Sequence, residues 1–370
     1  MTQKNNIEYL YLHVPFCKSI CYYCDFCHVI YQENIVNEWL DAIQKEIQDK
    51  NINPNLKTIY IGGGTPTSLN AQQLDTLLSL LDVYTNHVEE YTIEINPETL
   101  TLEKIEILRK HGINRISIGL QSHDAELLKS IGRNHTKEDV SKCVELLKDN
   151  GINNISLDVM YSLPNQTIQQ LKETLEFVIS LDVKHVSLYS LTIEENTVFH
   201  KRNYQHLSDE VEADMYDLNV EMLEKNGFMQ YEVANFSKEG YESKHNLAYW
   251  LYKDFYGIGA GASGKEDNYR YDHTKNVKEY IHNNPIEYIE LSNKDQMFET
   301  IMMGIRLKKG ISCNSFEEKF GISMEEAFPK SIKKHLANGN VIMDTSLRLS
   351  KDAYPIMNEI LVDFLEEIEE

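Results

Sequence analysis

Residues 9–28 read YLYLHVPFCKSICYYCDFCH, and this stretch decides the architecture. The run YLYLHV (9–14) is almost wholly apolar or aromatic, as a strand covered on both faces should be. It leads directly into the spacing Cys17-x3-Cys21-x2-Cys24. Further runs of the same kind follow at 57–61 (KTIYI), 91–95 (YTIEI), 115–120 (RISIGL), 155–159 (ISLDV) and 185–191 (HVSLYSL). Amphipathic stretches near 35–49, 70–84, 101–111, 136–150 and 167–181 fill the gaps. Thr136 opens a T-x-x-D helix start, and Gly112 and Gly151 mark helix ends. Strands alternating with helices imply a parallel sheet with right-handed crossovers. Six units are too few to close an eight-fold barrel. The expected fold is therefore α/β, a partial (β/α)6 barrel over residues 1–205.

Beyond Leu191 the pattern changes. Residues 208–226 predict one long helix, and 228–264 read as irregular, rich in Tyr, Asn and Gly. Residues 206–292 are thus expected to form a helical and irregular extension. From Asn293 the chain turns helical again. Ser312–Phe320, Ser323–Ala337 and a hairpin within Asn340–Leu349 suggest a mostly helical, winged-helix-like domain over 293–370. The acidic end Glu366–Glu370 reads as a solvated tail.

The 370 residues carry a formal charge of -22, which repels phosphate backbones and argues against nucleic acid as a partner. The winged-helix-like end holds ten basic against fourteen acidic residues, unlike a DNA-binding module. No apolar run reaches the length that crosses a bilayer, and the polar start Met1–Tyr9 lacks a signal-peptide core.

Of six cysteines, four lie between 17 and 27. Such crowding in a long chain reads as metal ligation. Cys143 and Cys313 read as small packed hydrophobes. Three thiolates at the Cys17, Cys21, Cys24 spacing can wrap one face of a [4Fe-4S] cubane, leaving one iron open for chemistry. The rival is zinc, with Cys27 or His28 as fourth ligand. The position of the motif after strand one of a βα series favours the cluster, and leaves Cys27 as a loop residue beside it.

Functional groups in βα barrels gather at the C-terminal ends of strands. Here Gly62-Gly63-Gly64-Thr65-Pro66 follows the second strand, where bare backbone can meet a polar ligand or simply turn. Glu94, Gln121 and Asp158 lie in the third, fourth and fifth strands, where burial is costly without partners. Arg133 is either a charge partner for them or an ordinary surface arginine.

These segments (YLHVPFCKSICYYCDF, IYIGGGTPTSL, EINPE, SIGLQS, IGRNHT, LDVMYSLP) resemble the radical S-adenosylmethionine (SAM) family that contains oxygen-independent coproporphyrinogen III dehydrogenase and its haem-chaperone relatives. The resemblance runs from about Tyr9 to Arg270 and more loosely beyond. It implies cluster ligation by Cys17, Cys21 and Cys24, and reductive cleavage of SAM to a deoxyadenosyl radical. It implies SAM or cluster contacts for Tyr11, Tyr23, Gly63, Gly64, Thr65, Glu94, Gln121, Arg133 and Asp158, with Ser190 a weaker match. The dehydrogenase branch looks like C-x3-C-x2-C-x-C with an N-terminal extension. Here Phe26 occupies the last cysteine's place, and sixteen residues precede Cys17. Cys24-Asp25-Phe26 and His245-Asn246-Leu247-Ala248-Tyr249-Trp250 match the chaperone branch, although Ser263 replaces a histidine often found after GAGA.

His245 is on that resemblance a candidate haem ligand; its other reading is a packed core histidine. The implied function is haem binding and delivery to acceptor haemoproteins, including respiratory enzymes at the membrane, with a reductant protein as further partner. The implied location is the cytoplasm, at the inner face of the membrane. The alternative is radical decarboxylation of coproporphyrinogen III in porphyrin biosynthesis.

Overall fold

The computed structural model describes residues 6–369; the polar start before Asn6 and the last residue, Glu370, lie outside the described residues. The expected strands form as β1 Tyr9–Val14, β2 Thr58–Gly63, β3 Glu90–Ile95, β4 Arg115–Gln121, β5 Asn154–Tyr161 and β6 His185–Ser190. All six pair in parallel and in chain order. β2 runs two residues past its apolar run, because Gly62 and Gly63 pair with His13 and Val14 of β1.

The helices end where punctuation says. Thr136 and Asp139 form a capping box at Lys137–Asp149. Gly112 and Gly151 take left-handed φ of 81° and 82°. The stretch 70–84 splits into a helix, Ala71–Ser79, and a 3-10 segment, Asp82–His87. A short helix at Ala125–Ser130, capped by Asp124, is additional.

The segment 228–264 is not irregular. It supplies β7 Met229–Gln230, β8 Asn235–Ser237, the helix Lys244–Trp250 and β9 Tyr256–Ile258. The sheet order is β9-β1-β2-β3-β4-β5-β6-β8-β7, with β9 parallel to β1 and β8 antiparallel to β6. Short strands extend both edges of the six-stranded core sheet. Being two or three residues long, they fall below the length at which apolar periodicity shows. Ser263–Glu266, Tyr269–His273 and Ile286–Glu290 add a separate antiparallel sheet.

One apolar core runs from Ile7 to Tyr280 and includes Met215, Leu223, Phe228 and Phe236 from the middle of the chain. A second core, Ile301 to Phe364, belongs to the C-terminal part. There the helices and the hairpin Val341–Met343/Ser346–Leu349 form in the expected winged-helix order, with Ile311–Ser312 as third strand. The expected helix Ser323–Ala337 is broken at Phe328, because Pro329 opens a new helix there. The acidic end is not simply a solvated tail. It continues the helix Met357–Glu369, and the Glu367 carboxylate accepts the Lys330 and Ser331 N–H groups at 2.7 and 2.8 Å. Acidic charge there caps the helix Pro329–Ala337.

Candidate functional site

The cysteine loop is held as a hoop at the end of β1. Phe16–Cys17 pairs with Val29–Ile30, and Tyr31 N–H donates to the Cys17 carbonyl at 2.9 Å. Across the barrel mouth, Tyr22 N–H donates to the Ile131 carbonyl and Phe199 N–H to that of Tyr22, both at 3.0 Å. Beneath the hoop His13 is buried, and burial lowers it to about 4, so the ring is neutral. Its Nε2 faces the Cys27 carbonyl at 2.8 Å, an acceptor, so the proton sits on Nε2. Nδ1 therefore accepts from the Tyr11 hydroxyl at 2.9 Å.

Cys17, Cys21 and Cys24 line one cavity of about 380 Å³ together with Tyr23, Gly63, Gly64, Thr65, Glu94, Gln121, Arg133, Asp158 and Ser190. Cys27 does not line it. That thiol is buried and donates to the Lys275 carbonyl at 3.1 Å. Arg133 is no surface arginine: it is 9% exposed, and its Nη2 donates to Gly119 O and Asn96 Oδ1. Tyr11 lies below the wall, with its ring 6.1 Å from that of Tyr60. Gln121 enters at a bulge in β4, with a left-handed φ of 63°.

The carboxylates are perturbed. Glu94 accepts from the Tyr60 hydroxyl at 2.8 Å and Gly63 N–H at 3.1 Å. Burial, then the nearby Asp158, push it up to about 7. Burial also raises Asp158, although Ser117 donates to it at 2.9 Å.

His245 is not brought to this cavity. It sits on the helix Lys244–Trp250 at the opposite end of the barrel, beside the first residues of β2 and β3, and is 1% exposed. Nδ1 meets Thr58 Oγ1 at 2.6 Å and Nε2 meets the Tyr249 hydroxyl at 2.8 Å. Glu90 accepts the Lys244 and His245 N–H groups, anchoring the helix. Burial lowers His245 to about 3. This is the packed-histidine geometry. Its neighbour Asn246 does reach the cavity floor.

Asn96, Tyr60 and Arg115 line the cavity as well; Tyr60 and Asn96 lie inside the segments IYIGGGTPTSL and EINPE, where more conspicuous neighbours draw the reading. The signal for Arg115 was alternation: Arg115, Ser117, Gly119 and Gln121 lie on the cavity side of β4, two residues apart.

Residues 11–178 match the radical SAM superfamily, and residues 291–356 match the HemN C-terminal domain. The chain is 40% identical to the heme chaperone HemW of Lactococcus lactis, over 99% of this chain and 98% of that protein. It is 38% identical to the heme chaperone HemW of Bacillus subtilis, over 97% and 99%. This chain belongs to the HemW family of radical SAM proteins. The structure of coproporphyrinogen III oxidase (HemN) from Escherichia coli, described as a radical SAM enzyme, shares the fold. Its TM-score is 0.85 at 20% identity, covering 98% of this chain and 91% of that one. The radical SAM domain of this HemW-family chain implies a [4Fe-4S] cluster and SAM.

The residues present fit both groups. Burial holds the Cys17 thiol at about 11 and the Cys24 thiol at about 12, so iron would have to displace their protons on binding. A Cβ on Gly64 would lie 2.9 Å from Cys17 Sγ, so the turn leaves room for nothing larger than hydrogen. Buried Arg133 Nε has no partner among the described residues and is a ready donor for an anionic ligand head. Among the described residues no helix is long and apolar enough to cross a membrane.

Proposed function

We propose that this chain is a haem chaperone that binds haem, a [4Fe-4S] cluster and SAM, and passes haem to acceptor haemoproteins. The observation that carries this reading is the 40% identity to a curated haem chaperone along nearly the whole of both chains. Cys17, Cys21 and Cys24 would hold three irons of the cluster, leaving one without a protein ligand and open to SAM. The reduced cluster supplies the electron for SAM cleavage when both are bound. Glu94 accepts from an N–H of the SAM amino group, and Arg133 takes the carboxylate through its free Nε. Gly63 and Gly64 bring bare backbone to the methionine end, and Gln121 and Asp158 bind the ribose side. Tyr23 shields the cluster. Tyr11 acts from below, by holding His13 against the loop carbonyl of Cys27.

Haem is best accommodated at the cavity rim, where Ile20, Phe26 and Tyr189 are 37%, 62% and 45% exposed. Such side chains suit the face of a flat macrocycle. His245 has no nitrogen to offer, since Thr58 and Tyr249 occupy both. Acceptors are respiratory haemoproteins, with the chain acting in the cytoplasm at the inner membrane face and a reductant protein reducing the cluster. The fold is shared with coproporphyrinogen III oxidase, so decarboxylation is the reading to test against. Phe26, where the dehydrogenase branch has a cysteine, speaks against it.

The test is anaerobic reconstitution with SAM and reductant, adding haem and coproporphyrinogen III in separate reactions. Stoichiometric haem uptake and release to an apo-haemoprotein, without protoporphyrinogen, is the expected result. Protoporphyrinogen formation that is lost in Cys21→Ala would replace this reading with the dehydrogenase.

A further inference from the structure

Asn96 follows β3 at the cavity wall, in the turn Asn96-Pro97-Glu98. Its amide lies between two side chains that touch cluster cysteines. Asn96 Oδ1 accepts from Arg133 Nη2 at 2.8 Å, and Asn96 Nδ2 donates to Thr65 Oγ1 at 3.1 Å. The orientation is forced. Arginine only donates, so the amide oxygen must face it and the amide nitrogen must face Thr65. The Thr65 hydroxyl therefore accepts from Asn96, and its single proton is left for Cys17 Sγ, 3.7 Å away. On the other side Arg133 is fixed by Asn96 and by Gly119 O at 2.7 Å, which aims Nη1 at Cys21 Sγ, 3.6 Å away.

We propose that Asn96 is a positioning residue that directs one hydrogen bond onto the Cys17 sulfur and another onto the Cys21 sulfur, and thereby raises the reduction potential of the cluster. Hydrogen bonds to cluster sulfurs stabilise the more negative, reduced state. Cys24 lies outside this network; its sulfur faces His28 Nδ1 at 3.6 Å instead. The inference rests on ligation by Cys17, Cys21 and Cys24, and is independent of whether the protein carries haem.

The experiment is spectroelectrochemical titration of the reconstituted full chain without SAM, with iron and sulfide assayed in each sample. Asn96→Leu should load four irons and be harder to reduce. The reduction equilibrium should fall roughly tenfold, about the worth of one ordinary hydrogen bond and about 59 mV for a one-electron couple. Full loading with an unchanged potential would overturn the proposal. If Asn96→Leu fails to load, Asn96→Asp decides. A carboxylate accepts from Thr65 as well as Arg133, so the hydroxyl turns away from Cys17. Thr65→Val should then lower the potential in the parent protein and leave it unchanged in Asn96→Asp. An equal shift in both backgrounds would overturn the proposal. Failure of the ligation itself shows separately, as iron loading that survives Cys21→Ala.

Discussion

Replacing Glu94 with Gln should stabilise the apo-protein, and only at neutral or alkaline pH. The carboxyl is pushed from its ordinary 4.5 to about 7, first by burial and then by Asp158. A rise of two to three units corresponds to about 3 kcal/mol disfavouring the ionised form in the folded chain. The sign follows from proton binding: between 4.5 and 7 the folded state holds a proton that the unfolded state has released. Stability is therefore highest below the ordinary value and falls as pH rises to about 7. Glutamine is neutral throughout, but gives up one of the two acceptors now serving Tyr60 and Gly63, at about 1 kcal/mol. The net gain expected is about 2 kcal/mol at pH 8 and near zero at pH 5. Urea unfolding of cluster-free protein at both pH values measures it. The same stability change at pH 5 and pH 8 would refute the reasoning. The gain should come with weaker SAM binding, since a buried carboxylate that costs stability is kept for a ligand that needs its charge.

Gly64→Ala places a methyl 2.9 Å from Cys17 Sγ and from the Phe16 carbonyl, and should at least halve iron loading. Gly112→Ala, with left-handed φ and open space around it, should lose about 1 kcal/mol of stability and load normally. His245→Ala should cost about 3 kcal/mol through lost packing and orphaned Thr58 and Tyr249, while folded protein binds haem at unchanged stoichiometry; loss of haem at unchanged stability would make it a ligand after all. Because burial lowers His245 to about 3, its contribution is complete above the ordinary 6.5 and is lost as pH falls below that, toward 3. Glu90→Gln should cost about 1–2 kcal/mol and speed hydrogen exchange along Lys244–Trp250, whose first N–H groups that carboxylate holds.

Sequence alone carries the barrel because the units repeat one signal, an apolar run closed by a polar or glycine end, which β2 to β6 obey, while β1 runs through Pro15 into the cysteine loop. β7 to β9 escape because two or three residues cannot show a period; their strand character is imposed by the open edges of the sheet. The same division runs through the site. Cysteines, glycines and isolated carboxylates are conspicuous because each is out of place in an apolar run. Asn96 is not, since asparagine before proline is ordinary turn chemistry, and its importance lies in what the fold sets on either side of it. His245 is the reverse case. A histidine between polar and aromatic neighbours has the look of a ligand in one dimension, yet Thr58, Glu90 and Tyr249 close around it from three different elements. Spacing along the chain reports which groups can share a metal. Whether a buried polar side chain serves a ligand or the fold depends on partners far away in sequence, and here Arg133, with its Nε–H unpaired among the described residues, and His245, with neither nitrogen free, fall on opposite sides of that line.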